Sequence, residues 1–320
     1  MIFLFLIFCL LLIELIYFRV AERFNIIDKP NDRSLHKEIT IRGGGIIFLV
    51  SALFYFIFSN FEYSLFFLGL TAVSTISFLD DIFTLPNRYR LPFQFLAIIL
   101  MLVELHFPAN PIWVGVGVVI LGVGILNAYN FMDGINGITG GYSTVILIAF
   151  WVVNNYHLKF IENDFLIFTL LGLMVFNYFN FRTKAKCFAG DVGSISIGLI
   201  ILFLLMKLIL QDQNLIYLLF LAVYGVDSVS TITHRLFLKE NIFQAHRLHL
   251  FQVLVHALKI PHLVMASLYM LIQSIVCGIV IISLNYSLLT QLVTGFSLII
   301  LLVLSYVFIK RKIMPVNIRS

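Results

Sequence analysis

Apolar residues in this chain gather into long runs separated by short polar stretches, and the runs recur from one end to the other. A transmembrane helix needs about 20 mainly apolar residues. Eleven runs on that scale lie near residues 1–18, 45–59, 64–79, 91–107, 111–127, 138–156, 164–180, 193–210, 214–231, 263–284 and 287–309. The pattern predicts an all-α, polytopic membrane helix bundle with about eleven (10–11) transmembrane helices, organised as a single membrane domain over residues 1–320. The first run has no basic residue ahead of it, is followed by Arg19 and Arg23, and lacks a small-residue cleavage site, so it reads as a span and not as a cleaved signal.

Composition strengthens this picture. Hydrophobic residues make up 61% of the 320 and charged residues 12%, against roughly 45–50% and 25% in a soluble domain. A soluble enzyme, a disordered chain and a fibrous protein are excluded. The net charge of +5 could suggest a nucleic-acid partner, but the basic residues have a topological order. If the N-terminus is outside, the inner segments are 19–44, 80–90, 128–137, 181–192, 232–262 and 310–320, and they hold 19 of the 21 Lys and Arg residues. That is the positive-inside bias of a membrane protein. It requires no nucleic acid, and it places the long polar segments, with any chemistry they carry, in the cytoplasm. The three cysteines, Cys9, Cys187 and Cys277, form no CxxC pair and suggest neither a disulfide framework nor a zinc site.

Five polar clusters stand out on that side. The first runs from Asp28-Lys-Pro-Asn through Arg33, Ser34, His36 and Lys37 to Arg42-Gly43-Gly44-Gly45. Its cationic donors suit phosphate oxygens, and its glycines would let backbone amides cradle an anion. A basic loop lying on anionic headgroups fits the same composition. The second is the Asp80-Asp81 pair at the end of an apolar run. Adjacent carboxylates in such a place call for a cation nearby; a solvated loop start is the plainer alternative. In the third, Asn127, Asn130 and Asp133 share a face if the segment is helical, and Asn136 follows. Oxygen donors at this density suit magnesium or a nucleotide. The fourth, Gly190-Asp191-Val-Gly193-Ser194, is either a helix N-cap or a metal ligand at the membrane surface. The fifth holds His246, Arg247 and His249, too few and too sparsely spaced for zinc but suited to a diphosphate. Asp227 lies near the inner end of its run and could line a site, whereas Glu14 and Glu104 have no motif around them and read as interfacial or bundle-facing.

In this order the clusters resemble the polyprenyl-phosphate N-acetylhexosamine-1-phosphate transferase family, glycosyltransferase family 4, over about 70% of the chain from Asp28 to Gln252. Phospho-N-acetylmuramoyl-pentapeptide transferase is a related member. The resemblance implies a Mg²⁺-dependent transferase that moves an N-acetylated aminosugar-1-phosphate from a UDP-sugar to undecaprenyl or another polyprenyl phosphate. UMP is released, in a first membrane step of O-antigen, lipopolysaccharide or other cell-envelope polysaccharide synthesis. It implies an inner-membrane location with the active site facing the cytoplasm, and it allows a homodimer. Carried over by position, Asp80, Asp81 and His246 are the catalytic residues, with Asp80 orienting or deprotonating the acceptor phosphate. Asp191 and Asn130 are the metal ligands. The substrate-binding set is Arg33, His36, Arg42, Asn127, Asn130, Asp133, Asn136, Arg247 and His249. Asn136 stands where many relatives carry a second aspartate, and His-Arg-Leu-His replaces the triple histidine of the muramoyl-pentapeptide enzymes. Together with the Asp28-Lys-Pro-Asn and Arg-Gly-Gly-Gly segments, these departures point toward the O-antigen-initiating branch. A transporter of lipid-linked anions is a competing class, but it would carry its polar groups at mid-membrane in two related halves, and no such halves are visible.

Overall fold

A computed structural model of the protein describes residues 2–28, 39–241 and 248–313. Among these residues it is helical almost throughout. In chain order the helices are α1 (Ile2–Arg23), α2 (Ile46–Phe58), α3 (Ser64–Phe83), α4 (Asn87–Glu104), α5 (Ile112–Met132), α6 (Ile138–Tyr156), α7 (Asn163–Asn180), α8 (Gly190–Asp212), α9 (Ala222–Phe237), α10 (Leu250–Leu258), α11 (His262–Ser283) and α12 (Leu288–Ile313). Each of the eleven apolar runs falls on a helix, and the short α10 is additional. Among the described residues, eight stretches are long and apolar enough to cross a bilayer: α1, α3, α5, α6, α8, Leu215–Phe237, α11 and α12. The chain is therefore a polytopic membrane protein. The other three predicted spans fall short for visible reasons. Helix α2 has only 13 residues, α4 opens with Arg88 and Arg90, and α7 is flanked by polar asparagines at both ends.

Helix α8 is the axis of the bundle. Its most apolar stretch is 89% buried, against 6% for α12. A helix that is apolar all round belongs in an interior, and α8 reads Ile-Gly-Leu-Ile-Ile-Leu-Phe-Leu-Leu where it passes through the centre. Small residues let neighbours come close, as is usual between membrane helices. Ser74 of α3 and Ser196 of α8 share a 2.7 Å hydrogen bond, and Gly198 lies against Tyr129 of α5.

The ninth predicted span is not one continuous α-helix. Leu215–Leu221 is a 3-10 turn that leads into α9. Backbone groups freed at such a junction need partners inside the membrane. Gln273 of α11 provides them: its Oε1 accepts the Val223 amide at 3.1 Å and its Nε2 donates to the Leu219 carbonyl at 3.0 Å. The Tyr142 hydroxyl of α6 donates to the same Gln273 Oε1 and accepts from the Tyr224 amide. The rings of Tyr142 and Tyr224 stack 3.6 Å apart.

One feature departs from the purely helical expectation. Strands β1 (Ile27–Asp28) and β2 (Thr40–Ile41) pair antiparallel, and Ile41 bridges onward to Cys187. The backbone after β2 is laced to the segment before α8, with the Phe188 amide donating to Ile41, the Gly44 amide to Phe188 and the Gly45 amide to Ala189. Of the three glycine amides expected to cradle an anion, those of Gly44 and Gly45 are thus engaged in this seam. Its closest point is at Gly45, where an added Cβ would stand 2.3 Å from the Gly193 Cα. Gly45→Ala and Gly193→Ala should each overpack this contact at a cost of about 1–3 kcal/mol. Both should unfold at lower temperature in detergent, whereas Gly117→Ala, with nothing within 4 Å of the new Cβ, should not.

Candidate functional site

At one end of the bundle, the C-terminus of α3 meets the N-terminus of α8. The Asp81 carboxylate accepts hydrogen bonds from the first amides of α8, Asp191 at 2.9 Å and Val192 at 3.0 Å. These are amides with no partner inside their own helix, and the helix dipole favours an anion there. Asp81 therefore caps a helix far away in sequence. Gly190 makes the approach possible: its φ is +70°, and a Cβ would lie 2.5 Å from Asp81 Oδ2. The same carboxylate takes the Arg42 Nε at 2.8 Å.

Asp80, one residue earlier, faces another way. It accepts the Leu85 amide and the Arg90 guanidinium, tying the end of α3 to the turn before α4. Arg90 Nη1 also donates to Asp191 Oδ2 at 2.8 Å, and Arg42 Nη2 lies 3.5 Å from Asp191 Oδ1. Three carboxylates from α3 and α8 are thus gathered around two guanidinium groups, one from the glycine seam and one from the start of α4. Asp80 and Asp81 are only 4% and 6% exposed. Burying this many charges is tolerable because they are paired and hydrogen-bonded. The Asp81 and Asp191 carboxylates raise the Arg42 pKa against the opposing effect of its own burial, so it stays charged. Tyr17 of α1 steadies the seam by donating to the Arg42 carbonyl at 2.5 Å.

The third cluster closes one side. Asn127 and Asn130 do sit on α5, and Asp133 follows as its C-cap. Asn130 Nδ2 donates to Ser194 Oγ of α8 at 3.1 Å. Asn127 turns to α4 and donates to Gln94 at 2.8 Å. Asn136, 4% exposed, donates to the carbonyls of Arg182 and Thr183, a task that a carboxylate could not perform. Beside it, Asn180 accepts the Gly137 amide and donates to the Cys187 carbonyl, each at 2.8 Å. Burial pushes Asp133 up to about 7, with the Asp191 carboxylate adding to the shift and Thr139 and Arg42 opposing it.

His249 stands a little apart. It is 1% exposed, with Nδ1 3.4 Å from Asp227 Oδ1. Asp227 also accepts from the Leu250 amide at 2.9 Å and the Tyr269 hydroxyl at 2.8 Å. Lys310 of α12 donates to the Leu248 carbonyl at 2.9 Å. Side chains from α9 and α12 thereby pin backbone residues 248–250, and Phe251 of α10 packs on Gly134 beside Asp133. Arg33, His36, His246 and Arg247 lie outside the described residues.

The two acids without a motif also have settings. Glu14 is fully buried, near Cys187 and the Gly44 backbone. Glu104 caps α3 from α4, accepting the Leu65 and Phe66 amides at 2.6 and 3.2 Å. Reading the sequence missed Arg90, whose charge looked like part of the positive-inside bias. Its signal was a position ten residues after Asp80, four before Gln94, at the start of an apolar helix.

Mg²⁺ takes hard oxygen donors, and it usually needs only one or two carboxylates because it retains waters and substrate phosphates. Among the described residues no three His, Cys, Asp or Glu side chains form a ready cage. Asp80 and Asp191 nevertheless converge on a single cationic nitrogen, with the Asn130 amide on the neighbouring helix. That donor set has the right chemistry for such an ion.

Residues 63–209 match the family model described as Glycosyl transferase family 4. The chain is 25% identical over 261 residues to a Bacillus subtilis (strain 168) protein named "Probable undecaprenyl-phosphate N-acetylglucosaminyl 1-phosphate transferase", covering 75% of this chain and 72% of that one. It is 25% identical over 266 residues to the Salmonella typhi undecaprenyl-phosphate alpha-N-acetylglucosaminyl 1-phosphate transferase, covering 75% and 71%. It is 24% identical over 242 residues to the Halalkalibacterium halodurans phospho-N-acetylmuramoyl-pentapeptide-transferase, covering 64% and 72%.

The Asp133 environment gives a stability test. Its folded pKa near 7 lies above the ordinary 3.8, so between those values the folded chain holds a proton that the unfolded chain has lost. Its contribution to stability is present at about pH 4 and fades as the pH rises through 7. Asp133→Asn should abolish that fading. Its unfolding temperature in detergent should gain on the wild type between pH 4 and 7.

Proposed function

From a chain that belongs to glycosyl transferase family 4, we propose an enzyme that transfers an N-acetylated aminosugar-1-phosphate from a UDP-sugar to undecaprenyl phosphate or another polyprenyl phosphate. The observation that carries this reading is the gathering of Asp80, Asp81 and Asp191 around Arg42 and Arg90 at one end of a membrane bundle. Phosphoryl transfer asks a protein for positioning and charge stabilisation, and a buried set of paired carboxylates and guanidinium groups offers both. A site at the end of the spans also suits a reaction between a soluble nucleotide-sugar and a lipid whose phosphate lies at the membrane surface.

In the proposed reaction an acceptor phosphate oxygen attacks the β-phosphorus of the UDP-sugar. The bond from that phosphorus to the oxygen bridging it to the α-phosphorus breaks, and UMP departs with the electron pair. A phosphate monoester is already largely ionised at neutral pH, so Asp80 orients the acceptor more than it deprotonates it. Asp81 holds the start of α8, and through it Asp191, in register. Arg42 and Arg90 lie where they can neutralise the donor diphosphate, while Asn130 and Asp133 border the nucleotide. Bound Mg²⁺ would supply further charge neutralisation across the diphosphate, and Asp191 and Asn130 are the residues assigned to hold it. Arg33, His36, His246 and Arg247 are assigned to the diphosphate and sugar. Asn127 and Asn136 support the α5 segment through Gln94 and the 182–183 carbonyls, and His249 supports the C-terminal loop. The wider proposal has the eleven helical runs in an inner membrane, eight of them long and apolar enough to cross it, a cytoplasmic site, and a role at the first membrane step of envelope polysaccharide synthesis. The donor-only use of the Asn136 amide supports the O-antigen-initiating branch over the muramoyl-pentapeptide one.

The purified protein should release UMP and label undecaprenyl phosphate from at least one radiolabelled UDP-N-acetylaminosugar. Asp80→Asn, Asp81→Asn and Asp191→Asn should each insert normally and lose at least about a hundredfold in rate, of the order of removing one preorganised electrostatic group. Retained activity in all three would refute the site. Excess chelator should stop the reaction and added Mg²⁺ restore it; turnover that persists in chelator would remove the metal from the proposal.

A further inference from the structure

Arg90 takes an unusual position in this cluster. A single nitrogen, Nη1, donates to Asp80 Oδ2 and to Asp191 Oδ2. The guanidinium thus stands between the two carboxylates that are left for other work. Asp81 is committed elsewhere, since both its oxygens accept α8 amides and one also takes Arg42. Asp80 keeps one oxygen for the Leu85 amide and gives the other to Arg90. A divalent cation on Asp80 or Asp191 would therefore meet a positive charge already bound to one oxygen of each, with Arg42 Nη2 3.5 Å from the other oxygen of Asp191. Arg90 does not sit there for want of solvent or space alone: its side chain is 16% exposed, and a guanidinium's planar fork matches a phosphate as well as a carboxylate.

We propose that Arg90 is a resident counter-cation, which competes with the metal for Asp80 and Asp191 and is drawn away by the diphosphate of the nucleotide-sugar. The inference rests on the metal-using, diphosphate-binding function proposed above. It adds an order to it: metal and nucleotide bind cooperatively, and each binds weakly alone. Arg90 would leave the carboxylates to the metal and pass to the diphosphate. Neither exchange leaves a buried charge unpaired, whereas either partner arriving alone would leave one. The coupling is reciprocal, so the nucleotide tightens the metal by the factor with which the metal tightens the nucleotide.

The test is equilibrium binding of Mn²⁺, followed by the electron paramagnetic resonance signal of the free ion. It uses the full-length protein in detergent or nanodiscs, with and without saturating UDP, and corrects for the Mn²⁺–UDP complex in solution. In the wild type UDP should tighten Mn²⁺ by about tenfold or more, within the range usual for coupled sites. Arg90→Gln should bind Mn²⁺ without UDP about tenfold more tightly than the wild type, and most of the UDP enhancement should be gone. A residue with a merely structural role would weaken Mn²⁺ when removed, so the sign of the change separates the two. Arg90→Lys keeps the charge but lacks the fork; its Mn²⁺ affinity without UDP should fall between the two proteins, and it decides the matter if the glutamine variant does not fold. Equal or weaker Mn²⁺ binding by the folded variants overturns the proposal while leaving the metal-dependent reaction standing. No Mn²⁺ binding by the wild type even with UDP overturns the metal reading and this inference with it.

Discussion

The carboxylate of Asp81 joins two helices that are more than a hundred residues apart in sequence. It supplies the acceptor that the first amides of α8 lack, and it does so from the end of α3. Everything else at this end of the bundle is arranged around that joint. Because Asp81 fixes where α8 begins, it fixes Asp191. Because it takes Arg42, it anchors the backbone seam that carries the three glycines. Because it leaves Asp80 turned toward α4, it brings Arg90 into the cluster. The charges are buried, but none of these three carboxylates is left alone, which is the condition under which such burial is tolerated.

The rest of the molecule supplies rigidity to that end. Helix α8 is enclosed by neighbours close enough for Ser74 and Ser196 to bond directly. The break between the 3-10 turn and α9 is stitched by Gln273 and Tyr142, which take up the Leu219 carbonyl and the Val223 and Tyr224 amides. Asp227 and Lys310 hold residues 248–250 by their backbone, independently of which side chains that segment bears. The far end of α3 is secured in the same way by Glu104. In each case a polar side chain from one helix completes the backbone of another, which is what an apolar solvent demands of any irregularity.

Much of this was legible in the sequence, and the parts that were not share a cause. Runs of apolar residues located every long helix, because spanning length and composition are local properties. The convergence of Asp80, Asp81, Asp191 and Asn130 was legible as a set of polar clusters on one expected side of the membrane, at the ends of the third, fifth and eighth runs. What escaped was the division of labour within the set. Asp80 and Asp81 look alike in sequence, yet one caps a distant helix and the other faces a guanidinium. Asn127 and Asn130 share a helix but turn to different neighbours. The glycines of the first cluster suggested an anion cradle, while the fold pairs the Gly44 and Gly45 amides with the carbonyls of Phe188 and Ala189. Arg90 was hidden by the very regularity that revealed the topology, since one more basic residue at the end of a span adds nothing to a charge bias. Which partner a residue finds is a long-range fact, and a single sequence carries it only where the chemistry leaves one choice.

The meeting of Gly45 and Gly193 has a further meaning. Most contacts in a protein interior are mediated by side chains, which can change rotamer, lean or be exchanged for others of similar volume. Here backbone touches backbone, so the separation between the seam and α8 is set by atomic radii alone. Such a joint has one setting: it can open, but it cannot be retuned. Variation in what the site accepts must therefore arise on its other walls, from α4, α5 and α10, while this wall serves as the fixed datum against which the others are set.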